Sequence, residues 1–135
     1  MNTKLIRTDL LFPELSYAIV GCAFDVYNAL GPGHDEKTYK NALAIEFQKR
    51  GISFKKEFYG PVMYEGEVVK RRYHDFLVED TIIVEIKKTN LFSRSNIEQV
   101  VRYLNISEKK LALLINFGKD KVYVKRVPNG LKNDS

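Results

Sequence analysis

The sequence predicts a mixed α/β fold, with helices packed against one mixed sheet. Apolar residues recur at helical spacing twice within the first fifty residues. From residue 52 the pattern changes to short runs rich in β-branched and aromatic residues. One further helical stretch interrupts those runs before the last two. Two helices, a group of strands, a helix and more strands fit a layered α/β sandwich better than a bundle or an all-β fold.

The first helix is expected over Glu14–Leu30, where Leu15, Ala18, Ile19, Cys22, Ala23, Val26 and Leu30 form one stripe and "GPG" (31–33) stops the chain. A second is expected from about Asp35 to Arg50, ended by Gly51. "ISFKKEF" (52–58) and "PVMY" (61–64) read as short strands, with Glu65-Gly66 as a turn. "VVKRRYHDFLV" (68–78) and "TIIVEIKK" (81–88) read as an antiparallel hairpin. "RSNIEQVVRYLN" (94–105) is a helix capped by Ser93 or Ser95. "LALLINF" (111–117) is a buried strand, and "KVYVKRV" (121–127) follows the turn Gly118–Asp120. One domain over 14–128 is expected, preceded by a segment 1–13 and followed by a frayed tail 129–135.

Composition narrows the function classes. The 135 residues are 44% hydrophobic and 29% charged, a globular balance. Net charge is +5, which suits an anionic partner such as nucleic acid without requiring one. Cys22 is the only cysteine, so no disulfide can form within the chain, and the expected location is the cytoplasm. No stretch reaches the roughly 20 apolar residues needed to span a bilayer, so no membrane partner is expected. His34 and His74 have no zinc-ligand spacing with Cys22, and His74 is expected to be structural or exposed.

The run "TIIVEIKK" is unusual because a strand that reads as buried ends in Glu85 and Lys87 on one face. With a three-residue loop, Glu79–Thr81, Val78 faces Ile82 and Asp75 falls opposite Glu85. A two-residue loop would send Asp75 to the other face. In the first register two carboxylates adjoin, which is unfavourable without a cation, and Mg²⁺ or Mn²⁺ is the natural one. Lys87 can then orient a bound water or offset charge on a phosphate. The competing reading is a salt bridge to Lys87 at a strand end. Glu36 projects within the apolar stripe of the second helix, as does Glu46, or it simply favours the helix dipole. Gln99 and Tyr103 lie one turn apart, nearly opposite the stripe of Ile97, Val100, Val101 and Leu104, so Gln99 faces water or lines a polar cleft.

"GHDEKTY", with Gly33, Glu36 and Tyr39, resembles the G-x-x-E-x-x-Y signature of the GxxExxY proteins. The resemblance continues through "ALAIEFQKRGI", "YHDFLVEDTIIVEIKK", "IEQVVRYL" and "LLINFGKDKVYVKRV", from about residue 16 to 127. That family resembles a branch of the PD-(D/E)XK nucleases. The resemblance implies a restriction-endonuclease-like α/β core, a mixed sheet flanked by helices. It also implies a Mg²⁺-dependent (or Mn²⁺-dependent) nuclease, for which DNA is the more expected substrate and RNA the less expected one. Asp75 would be the motif Asp, Glu85 and Lys87 the E-x-K, and Glu36 the helical acid. Asp75, Glu85 and Glu36 would serve the metal; Gln99 and Tyr103 would be the Q-x-x-x-Y. His74 stands where the motif has Pro. A second reading is a nuclease-fold module without catalysis that binds nucleic acid or a protein partner, a homodimer included. Divalent-metal binding at Asp75 and Glu85 separates the two.

Overall fold

The computed structural model describes residues 11–87 and 93–130; the rest of the expected N-terminal segment and tail, and Lys88 of the predicted strand, lie outside them. Helix α1 (Pro13–Leu30) starts with Pro13 in the first turn, where its missing N–H is no loss, and ends at Gly31 with φ 75°, whose N–H bonds Tyr27 O. It buries Ile19, Cys22, Ala23 and Val26 as the stripe predicts, although Leu30 stays exposed. Helix α2 (Glu36–Lys49) is capped by Asp35, whose Oδ1 accepts the Thr38 N–H at 2.8 Å, and buries Tyr39, Leu43, Ala44 and Phe47.

Strands β1 (Phe54–Tyr59), β4 (Tyr73–Val78), β5 (Ile82–Lys87), β6 (Leu111–Phe117) and β7 (Val122–Pro128) form one mixed sheet in the order β1-β4-β5-β6-β7. Only β5 and β6 run parallel, and the crossover between them contains helix α3 (Arg94–Ser107), capped by Ser93. The two faces carry separate clusters. Ile19, Leu43, Phe47, Phe76, Val84 and Ile115 pack beneath α1 and α2. Leu77, Ile83, Leu114, Val100 and Leu104 pack beneath α3. Every residue of β6 is buried because both faces are covered.

The predicted strand 68–78 is divided. Its first part pairs instead within a separate two-stranded arm, β2 (Val62–Tyr64) and β3 (Glu67–Lys70). Pro61 has no N–H to continue a ladder, and Gly60 N–H closes the neck onto Arg72 O at 2.9 Å. The arm turns at Glu65 and Gly66, both at positive φ, as a two-residue hairpin requires. A Cβ on Gly60 would come within 2.7 Å of the His74 and Tyr103 rings, so only glycine fits there.

The hairpin β4–β5 has the three-residue loop: Val78 faces Ile82 and Phe76 faces Val84. Beyond that point both β1 and β4 invert. Phe54 and Phe76 pack with Phe47 under α2, whereas Phe58 and His74 pack against Tyr103 of α3. Glu57, at φ 57°, and Asp75 stand opposite one another at the inversion, and neither is in a ladder pair.

Candidate active site

The inversion determines how the acids are presented. The Asp75 side chain turns to α2, where Oδ1 accepts from Lys40 Nζ at 3.2 Å, and Oδ2 accepts from Ile86 N–H at 2.6 Å. Lys40 also pairs with Glu57. Glu85, 5% exposed, instead pairs with Nδ1 of His74, 1% exposed, whose ring lies 4.2 Å from that of Tyr103. The expected register is therefore present up to Phe76 and Val84, but Asp75 and Glu85 do not share one face. The carboxylates stand on adjacent strands where the ladder opens. His74, expected opposite Glu85 in face, is its buried partner.

Glu36 is exposed at the start of α2 and lines a surface cleft with Lys37, Lys40, Lys56, Glu57 and Asp75. Lys87 is half-buried opposite Asn116 of β6, and strand alternation places it on the α3 side with Glu85. Gln99 and Tyr103 line a second groove, with Gly60 and Arg72. Tyr103 is not set away from the core as its helical phase suggested: it packs between Phe58 and His74, and burial raises its phenol pKa. Tyr39 belongs to the interior. Its ring stacks on Phe117 at 4.2 Å and its hydroxyl donates to Gly31 O at 2.6 Å, pinning the turn between α1 and α2. The site thus falls into two groups, Glu36 with Asp75 and Gln99 with Tyr103, with Glu85 near the second through His74.

Sequence reasoning missed Lys40, Glu57 and His74 as neighbours of the acids. Lys40 had a legible signal, since it follows Glu36 by one helical turn and falls within the same stripe. Glu57 and His74 had none, because their placement follows from the strand inversion.

Burial raises the Asp75 carboxyl pKa above its ordinary value; the Ile86 N–H opposes this, the Glu85 charge adds to it and Lys40 opposes it. The folded chain therefore holds this proton more tightly than the unfolded chain does. The associated stability is full below the ordinary aspartate range and is lost as pH rises through the raised value. Asp75→Asn removes that loss, so at pH 7 the variant should melt higher by about 3–5 °C, on the order of 1 kcal/mol. At pH 3 the two proteins should melt together. Thermal denaturation at both pH values checks this, and a variant melting lower at pH 7 would mean the Lys40 pair outweighs burial.

Carboxylates are the donors a hard divalent ion takes, but Asp75 and Glu85 turn to opposite faces and each is engaged by another side chain, so as placed they are not one ligand set. Lys40 already seats a cation on Asp75. Among the described residues no three His, Cys, Asp or Glu converge as a ligand group.

A five-stranded mixed sheet between helices, with an acid where two strands part and an E-x-K ending the next strand, defines a nuclease-type α/β domain. A family model for the PD-(D/E)XK nuclease superfamily matches residues 13–127, and the chain belongs to that superfamily. Its core is accordingly restriction-endonuclease-like. Two solved structures are similar to it. One, a protein designated SSO0001, has TM-score 0.48 and 11% identity over 85% of this chain and 77% of its own. The other, an alkaline exonuclease (LHK-Exo) from Laribacter hongkongensis, has TM-score 0.46 and 13% identity over 83% of this chain and 79% of its own. No curated protein matches the chain. Among the described residues no helix is long and apolar enough to cross a membrane.

Proposed function

We propose that this chain, a member of the GxxExxY branch, hydrolyses phosphodiester bonds of nucleic acid, DNA in preference to RNA, with Mg²⁺ or Mn²⁺. The observation that carries the reading is the position of Asp75 and the Glu85-x-Lys87 run where β4 and β5 separate, in a chain of this superfamily. The preference for DNA rests on the resemblance. Asp75 and Glu85 would hold the ion only after the Glu85 carboxylate turns away from His74 towards the Asp75 side of the sheet, and Glu36 would support it from the rim of the cleft. When bound, the ion supplies Lewis-acid activation of water and offsets phosphate charge. Lys40 Nζ must leave Asp75, and Glu57 keeps it paired when it does. Lys87 contributes its ammonium beside the reacting phosphate, and Gln99 orients Lys87 or a neighbouring phosphate.

A module without catalysis is favoured by a different observation. Both acids already have partners, Asp75 with Lys40 and Glu85 with His74. One experiment separates the readings: cleavage of single-stranded, duplex and branched DNA and of RNA with Mg²⁺, Mn²⁺ or EDTA, alongside thermal shift with Mn²⁺. The nuclease reading expects metal-dependent cleavage lost in Asp75→Ala, and a higher wild-type midpoint by RT ln(1 + [L]/Kd), about 2.7 kcal/mol at a hundredfold excess over Kd. No cleavage and no Mn²⁺ response would leave the module.

A further inference from the structure

The groove between the β2–β3 arm and α3 has a chemistry of its own. Lys70 and Arg72 of the arm and its neck and Arg102 of α3 line it, and among the described residues no Asp or Glu does. Among the described residues, none of these three cations has an ion pair, so the groove's positive charge is not offset by a neighbouring acid. Apolar side chains lie among the charges: Met63 is 45% exposed and Ile106 70%. The lining also includes Gly60 and Tyr103, and the Tyr103 ring lies against that of His74, the partner of Glu85.

We propose that this groove binds a single nucleic acid strand, with phosphates on Lys70, Arg72 and Arg102 and base faces against Met63 and Ile106, and leads it towards Glu85. The direction of that path rests on the nuclease reading; the binding does not. Unpaired cations interleaved with exposed apolar side chains suit a strand whose phosphates and base faces are both accessible. A duplex hides its base faces and would leave Met63 and Ile106 in water. A second copy of the chain would bring the same three cations together across a two-fold contact, with no acid to meet them.

The test uses the full chain in EDTA, so that binding is read without cleavage. Fluorescence polarisation would compare labelled oligothymidine, oligouridine and a DNA duplex. Either single strand should bind about tenfold or more tighter than duplex. Arg72→Ala/Arg102→Ala should weaken strand binding by about 10- to 100-fold. It should also flatten the log Kd against log[salt] slope by roughly 1.4, or about 0.7 for each phosphate that is no longer neutralised. Met63→Ser/Ile106→Ser should weaken single-strand binding about tenfold with the salt slope unchanged, because the apolar area covered by the bases is lost. Lys121→Ala, which does not line the groove, should bind as wild type, and melting curves would confirm that each variant is folded. Equal affinity for duplex, or folded groove variants with wild-type affinity, would overturn the proposal. So would a wild-type dimer, seen by light scattering, that Ile106→Asp dissociates without changing strand affinity; that result would make the groove a protein interface. Strand binding without metal-dependent cleavage would support the groove and count against the catalytic reading alone.

Discussion

Replacing Lys87 with alanine is expected to lower the cleavage rate about 10²- to 10³-fold, the usual cost of removing one preorganised charge beside a reacting group. Divalent-ion affinity should be nearly unchanged, because an ammonium does not ligate a cation. The position supports this separation of roles. Lys87 is the last described residue of β5, half-buried, and held in register with Asn116 by the parallel ladder to β6. Its backbone is fixed by the centre of the sheet, while its long side chain can reach past the point where β4 ends its pairing. Lys87→Arg keeps the charge with a different shape and should recover part of the rate. Single-turnover cleavage gives the rate, and thermal shift with Mn²⁺ gives the affinity. Undiminished cleavage in Lys87→Ala would assign the chemistry to another group, with Lys40 the nearest described cation to Asp75.

The second large effect is on stability. His74→Leu should lower the melting temperature by about 10–20 °C, since stripping the partner from a buried charged group costs roughly 3–5 kcal/mol and each kcal/mol is worth about 3–5 °C in a domain of this size. Glu85 is 5% exposed, so burial rather than solvent surrounds the carboxylate once the imidazole is gone. Adding Glu85→Leu should recover most of the loss, because two apolar side chains can fill the space of a buried polar pair. The recovery matters more than the loss, since any poor fit at His74 could lower stability but only a lost partnership is restored by removing Glu85. Melting curves of the two single variants and the double variant give the coupling. A His74→Leu protein within about 2 °C of wild type would show that Glu85 needs no partner.

The sequence made the elements legible wherever one rule governed them. Helix α1 follows from its apolar stripe and Pro-Gly stop and α2 from Asp35 and Gly51, while the Val78–Ile82 pairing is one of the two registers the loop allowed. The arm was less legible, since Lys70–Arg72 reads as continuous strand until Gly60 and Pro61 are seen to close a neck around it. The acids were singled out from the sequence, but their orientation was not legible there. Alternation carries a side-chain face along a strand only while the pleat is regular, and at Glu57 and Asp75 it is not. Two opposed irregularities on neighbouring strands leave no trace in hydrophobic pattern, so the Glu85–His74 pair could not be counted out from the loop. Tyr39 shows another limit. A tyrosine in a signature with Glu36 reads equally well as a site residue or as an anchor, and its stacking on Phe117 is a contact across 78 residues of chain.

The separate arm has a consequence for how such a protein can diversify. Residues 62–70 are all exposed, pair only with one another, and return to the sheet through one backbone hydrogen bond at the neck. Neither core cluster includes a residue of the arm. Lengthening, shortening or recolouring the arm therefore leaves the folding of the sheet almost untouched, provided that Gly60 remains beneath the neck. Changes in these nine residues would reshape the arm, while the strands that carry Asp75, Glu85 and Lys87 stay under the separate constraint of their packing.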